Sequence, residues 1–363
     1  MSERINTIVI GGGQAGLAVG YHLAKSAIPF VILEANRHIG DSWRNRWDTL
    51  RLFTLACYAG LDGMPFPAPA RSFPTKDEMA DYLRAYAAHF DLPVRTGVHV
   101  DRLWRGDGGY VLSARGKRYK AEQIVVATGA RQRPWVPPFA SGLDPDIVQM
   151  HSSAYRNPRQ LRQGSVLVVG AGNSGSEIAR ELASHGHSVV LSGRNTGHAP
   201  FSIDGFLGRH LLCPLVEFVF YRVLTTDTKI GRRVRPFVIS RGRPAIRVKL
   251  KDLAAAGVAR VPRTAKISNG LPVLEDGRVL NPANVIWCTG FRPNLAWIDL
   301  PIIANEFEPI HERGLVKGSP GLYFVGLEFL YSVASGTVPG VSRDARYIAD
   351  KIAARVESGY ADA

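Results

Sequence analysis

Hydrophobic positions in this chain fall into short, nearly unbroken runs, each closed by glycine or a charged residue and several followed by helical spacing. The first run, Thr7-Ile8-Val9-Ile10, meets Gly11-Gly12-Gly13-Gln14-Ala15-Gly16 and passes into Leu17, Ala18, Val19, Tyr21, Leu23 and Ala24, which predicts strand, tight turn and helix. A second strand is expected over Pro29 to Leu33, and a helix opens at the capping box Thr75-Lys76-Asp77-Glu78 and continues through Met79, Tyr82, Leu83 and Tyr86. Val94 to Val100, Leu103 to Trp104 and Tyr110 to Ser113 read as strands, with Gly106-Asp107-Gly108-Gly109 as a hairpin turn. Buried strands follow at Gln123 to Ala127, Val166 to Val169, Val189 to Leu191, Val285 to Cys288 and Leu322 to Val325, and a last helix at Arg343 to Val356. Runs of this kind alternating with helices predict an α/β chain.

Glycine positions add the candidate chemistry. In Gly11-x-Gly13-x-x-Gly16 the first glycine permits the turn, the second lets backbone approach a pyrophosphate, and the third lets helix and strand pack. Such turns also occur with no ligand. Two features favour the nucleotide reading: Glu34 ends the second strand about twenty residues on, where a carboxylate can accept from ribose hydroxyls, and the signature recurs at Gly170-Ala171-Gly172-Asn173-Ser174-Gly175. The second unit ends in Ser192-Gly193-Arg194, so the acid of the first is replaced by a guanidinium able to clamp a 2′-phosphate. Two cradles imply two dinucleotides, the second of them NADPH. Strand ends at Thr128-Gly129 and Thr289-Gly290 repeat one further device.

Composition narrows the rest. The length of 363 residues suggests two domains, and prolines 134, 137, 138, 145 and 158 mark the boundary before the second cradle. Cys57, Cys213 and Cys288 are isolated, which excludes a disulfide framework, a metal cluster and the closely spaced redox pair of a flavin disulfide reductase. The net charge of +14 is concentrated locally, with eleven Lys or Arg against Asp252 between Lys229 and Arg263. A solvated basic face is preferred to an acidic ligand or surface, and nucleic acid stands third. Neither a long apolar run nor a secretory signal is present, so a cytoplasmic protein without a membrane span is expected. For the apolar stretch Phe206 to Leu224 the readings are core, lid or docking helix, with core preferred.

Paired cradles about 160 residues apart, both Thr-Gly strand ends, and His151-Ser152-Ser153-Ala154-Tyr155 between them resemble the class B flavin-containing monooxygenases over nearly the whole chain, closest to short bacterial flavoproteins labelled as cation-transport-associated. The resemblance implies two Rossmann-like domains with the NADP domain, 159–284, inserted in an FAD domain made of 1–158 and 285–363. It implies an NADPH-dependent oxidoreductase that takes molecular oxygen and oxygenates a sulfide, amine or ketone through a flavin hydroperoxide; a peroxide-releasing oxidase, a dinucleotide-sensing subunit of a transport system and a homodimer stay open. Carried over, Gly11, Gly13, Gly16, Glu34 and Trp43 match FAD-binding positions and Gly170, Gly172, Ser174, Gly175, Ser192 and Arg194 match NADP-binding ones, and Gln14, Ala15, Arg51, Leu52, Val100, Thr128, Gly129, Asn173, Gly290 and Gly326 complete the expected cofactor-binding set. Trp47 and Phe53 are the candidate catalytic residues. Two departures stand out: Pro145-Asp146-Ile147 occupies the place of the linker's Phe-x-Gly, and the family's active-site asparagine falls on Phe53.

Overall fold

The structure is a computed structural model that describes residues 2–195, 197–199, 201–241, 244–305 and 308–359. Ser2–Ile10 lies at the centre of an eight-stranded sheet, parallel to Phe30–Leu33 on one side and Lys117–Val126 on the other. Phe30–Leu33 is followed outward by Val94–Arg95; beyond Lys117–Val126 come the antiparallel Gly109–Ala114 and Val100–Gly106, and then Ile298–Asp299. Leu322–Phe324 also adds in parallel to Lys117–Val126, so the end of the chain returns to the sheet that its beginning started. The helices Gln14–Lys25, Lys76–His89 and Val338–Glu357 cover one face, where Leu17, Leu23, Tyr86, Val341 and Ile348 are buried together. Unbroken apolar strands are what a sheet covered on both faces requires.

A second sheet is all parallel, in the order Ala259–Val261, Val189–Ser192, Val166–Val169, Asn284–Trp287, Val148–His151. It reaches past both ends of the expected 159–284 segment, because Val148–His151 pairs residue for residue with Asn284–Trp287. The capping box at Thr75 and Glu78 forms as expected, and the glycine hairpin pairs Gly106 with Gly109. The expected strand from Val94 to Val100 is instead two, Val94–Arg95 and one starting at Val100, separated by Gly97 at φ +70°.

Residues 206–224 are not core. They form a helical arm over 208–223, and Leu207, Leu211, Leu215 and Phe218 are all more than half exposed. Periodicity could not show this, since an apolar stripe reads alike whether it faces protein or solvent.

Candidate active site

Both cradles fold alike, atom for atom at their glycines. Gly11 and Gly170 sit at φ +108° and +109°, and a Cβ there would lie 2.7 Å from the Ala127 carbonyl oxygen and 2.3 Å from that of Cys288. At Gly16 and Gly175 a Cβ would fall 1.8 Å from the carbonyl oxygens of Gly11 and Gly170, so any side chain would part strand from helix. Gly13 and Gly172 differ from these: nothing lies within 4 Å of the Cβ position, and each caps its helix with extended backbone. Space kept open by a residue without a side chain, in front of unpaired helical N–H groups, fits a pyrophosphate.

The strand ends supply the rest. Glu34 is buried beside the first cradle; its Oε2 accepts from Gly12 N at 2.6 Å and its Oε1 from Asn36 N at 2.8 Å, which fixes the carboxylate and leaves lone pairs for a ribose. Val100 is buried in the same apolar cluster as Ile10 and Leu33, the last residues of the two strands that flank the cradle. Trp43 Nε1 donates to Gln14 Oε1 at 3.1 Å, Ala15 is buried under the helix start, and a Cβ on Gly326 would lie 2.9 Å from that of Ala15. Six of the expected positions therefore converge on one cradle.

In the second unit the Asn173 side chain accepts from Ile246 N at 2.8 Å and donates to the Pro244 carbonyl at 2.9 Å. Ser174 is half-buried in the first turn of the helix. Ser192, expected to bind NADP, is fully buried; its hydroxyl donates to the Pro262 carbonyl at 2.9 Å and meets Thr264 Oγ1 at 2.9 Å. A small hydroxyl at a strand end serves neighbouring backbone as readily as a ligand. Arg194 is exposed beyond it. Arg260, which the sequence reading passed over, lies on the adjoining strand opposite Leu191, and its guanidinium donates to the Gly193 carbonyl at 3.2 Å, beside Arg194. Only strand pairing brings it there.

The two Thr-Gly ends are joined directly. Arg133–Pro134 pairs antiparallel with Phe291–Arg292, Gln132 donates to Gly129 O at 2.7 Å and accepts from Asn294 N at 2.8 Å, and the Thr128 and Thr289 hydroxyls bond to Gln132 and to the Trp135 carbonyl. His151 Nδ1 accepts from Ser153 N at 3.1 Å, so Nε2 carries the proton and donates to Gly290 O at 3.0 Å. Burial lowers its pKa, which favours the neutral ring. Tyr155, also buried, donates to Glu181 Oε2 at 2.8 Å. The linker motif thus pins the second unit to the strand end and to the helix of its cradle.

Trp47, expected at a catalytic position, is 7% exposed and buried in one apolar cluster with Tyr155, Ile178 and Ala179. Phe53 is half-buried against Leu55, Phe73 and Ile203. Arg51 is tied to the Phe73 carbonyl at 3.2 Å, and Leu52 is buried. Over this loop lies Arg247, whose guanidinium is 5.2 Å from the Phe53 ring, donates to the carbonyls of Arg51 and Leu52 at 3.2 and 2.9 Å, and stands 3.5 Å from Glu177 Oε1. Burial lifts the Glu177 carboxyl to about 7. Arg46 is a further cation at the junction: its Nε donates to the Ser42 carbonyl at 3.1 Å, its guanidinium lies 5.6 Å from the Phe291 ring, and no carboxylate pairs with it among the described residues. Cys57, Cys213 and Cys288 are free thiols, and burial raises the pKa of all three, that of Cys288 to about 12.

Two linked dinucleotide units of this kind define a flavin- and pyridine-nucleotide-dependent oxidoreductase. The chain belongs to the pyridine nucleotide-disulphide oxidoreductase family, which it matches over residues 8–204, and within it to the flavin monooxygenases, whose cofactors are FAD and NADPH. It is 38% identical to an uncharacterized CzcO-like oxidoreductase of Geobacillus kaustophilus, over 97% of this chain and 99% of that one. It is 35% identical to an indole-3-pyruvate monooxygenase of Oryza sativa subsp. japonica, over 88% and 86%. Among solved structures, a flavin-containing monooxygenase from Stenotrophomonas maltophilia is 27% identical and superposes with a TM-score of 0.77 over 98% of this chain and 99% of that one. No described helix is long and apolar enough to cross a membrane.

Proposed function

We propose that this protein oxygenates a small organic substrate, a sulfide, amine or ketone, with electrons from NADPH and one atom of molecular oxygen. The observation that carries the reading is the direct link between the two Thr-Gly strand ends, which joins two units that each carry a cradle with open space at its second glycine, Gly13 in one and Gly172 in the other. Bound FAD supplies the hydride acceptance and oxygen activation; the chain's own residues bind, orient and exclude water. The first cradle and Glu34 hold FAD, and the second holds NADPH.

Arg194 and Arg260 read the 2′-phosphate in this proposal. Arg194→Ala is expected to raise the NADPH KM by roughly ten- to a hundredfold while NADH changes little, and adding Arg260→Ala deepens the loss. Steady-state kinetics with both coenzymes check it, and equal losses for the two would remove the phosphate-reading role.

At Phe53 the chain offers no donor where the resembled family has an amide, and a preorganised donor in a dry site is typically worth about 3 kcal/mol. Much of the NADPH oxidised should therefore appear as hydrogen peroxide, and Phe53→Asn should raise the share of oxygenated product several-fold. Product and peroxide assays with a panel of sulfides, amines and ketones test this and the function together. NADPH oxidation without oxygen consumption or product from any of them would leave a dinucleotide sensor as the better reading. The panel should include aromatic 2-oxo acids, because Arg46 offers a guanidinium without a carboxylate partner at the junction and a relative is named for indole-3-pyruvate.

A further inference from the structure

Seven of the eleven exposed large apolar side chains among the described residues fall between positions 206 and 237. Along the arm, Leu207, Leu211, Leu215 and Phe218 follow one another at spacings of four, four and three, which places them in one stripe on one helical face, with Phe206 beside its start at 78% exposure. The inner face of the arm is already spoken for. Gly208 and Cys213 are buried, the Arg209 carbonyl accepts from Arg71, and the Tyr221 carbonyl accepts from Arg343 at 2.7 Å. Leu224 O and Thr226 N bond to Val333 and Tyr331 across the FAD unit. The stripe therefore points away from the protein while the arm itself is fixed to it.

Charge selects what covers the stripe. Residues 206–239 contain six Lys or Arg and two acids, Glu217 and Asp227. Arg222 continues the stripe four residues after Phe218, and the helix Lys229–Arg241 adds exposed Lys229, Arg232 and Arg233 around the exposed Ile230. Among the described residues no carboxylate pairs with any of these four cations. A second copy of the same surface would bring like charges together. An anionic bilayer surface instead offers acyl chains for the leucines and Phe218 and phosphates for the cations.

We propose that the arm is a peripheral membrane-docking surface that seats this enzyme on anionic lipid, with the stripe from Leu207 to Phe218 entering the headgroup boundary and Arg222, Lys229, Arg232 and Arg233 contacting phosphates. The oxidoreductase core stays outside the bilayer and the arm lies in the interface without spanning it.

The test is flotation of the full-length holoenzyme with vesicles of phosphatidylcholine alone and of phosphatidylcholine with phosphatidylglycerol in equal parts. At least tenfold more protein should float with the anionic vesicles, and raising the salt to 0.5 M should remove most of it. Leu211→Glu with Phe218→Glu should lower the bound fraction at least tenfold, and Arg232→Gln with Arg233→Gln at least threefold. All four positions are exposed, and flavin content confirms that each variant is folded. The proposal is overturned by equal flotation with both vesicles, by no flotation, or by a double glutamate variant that still floats. It is overturned equally by a dimer in light scattering that Leu211→Glu with Phe218→Glu dissociates, since a second copy would then cover the stripe.

Discussion

Gly13→Asp is expected to give a folded but colourless protein, with FAD affinity reduced at least a hundredfold and the melting temperature of the flavin-free protein close to that of unsubstituted apoprotein. A Cβ at Gly13 meets nothing within 4 Å, so the fold has room for the side chain, but that room is where a pyrophosphate must approach the helix N-terminus, and an added carboxylate repels it. Gly172→Asp should do the same to NADPH while the protein stays yellow. Gly16→Val forms the contrast, because its Cβ would stand 1.8 Å from the Gly11 carbonyl oxygen and the variant should fail to fold. Flavin absorbance, coenzyme titration and calorimetry on the three proteins separate the roles. Retention of FAD by Gly13→Asp would show that the open space is not the pyrophosphate site.

Arg247→Ala should destabilise the protein by about 3 kcal/mol and raise peroxide release. The side chain is 13% exposed, joins the 51–53 loop to the second unit through two carbonyls, and lies over the Phe53 and Phe73 rings. Lysine should rescue little, since one ammonium cannot reproduce the planar fork that serves two carbonyls and two rings. Calorimetry and the ratio of peroxide to NADPH oxidised check both parts. Glu177, under the same guanidinium, gives the junction a pH dependence. Its folded pKa near 7 lies above the ordinary carboxyl value of 4.5, so between these values the folded state holds a proton that the unfolded state has released. Stability from this group falls as pH rises through that window. Glu177→Gln should therefore melt higher than the parent at pH 8, by up to about 3 kcal/mol, with the gap closing towards pH 4.5. A constant gap across the range would assign the effect to packing.

What sequence determined here was local and periodic. Continuous apolar runs named the strands, the glycine spacing named both cradles, and Glu34 against Arg194 set the two units apart, because backbone geometry and strand-end position follow from a few neighbouring residues. The tertiary structure decided everything that depends on which surfaces meet. Ser192 reads as a ligand contact from its strand-end position, and only the fold brings its hydroxyl to the Pro262 carbonyl and to Thr264, seventy-two residues on. Trp47 and Phe53, six residues apart, part company: one is buried in the core of the second unit and the other lies against Phe73 and Ile203 beneath Arg247. Arg260 joins Arg194 only through strand pairing, and Arg247 reaches the 51–53 loop from almost two hundred residues away. The stripe from Leu207 to Phe218 carries the period of a buried helix, yet it faces outward, since period fixes which residues share a face and only packing decides what that face meets.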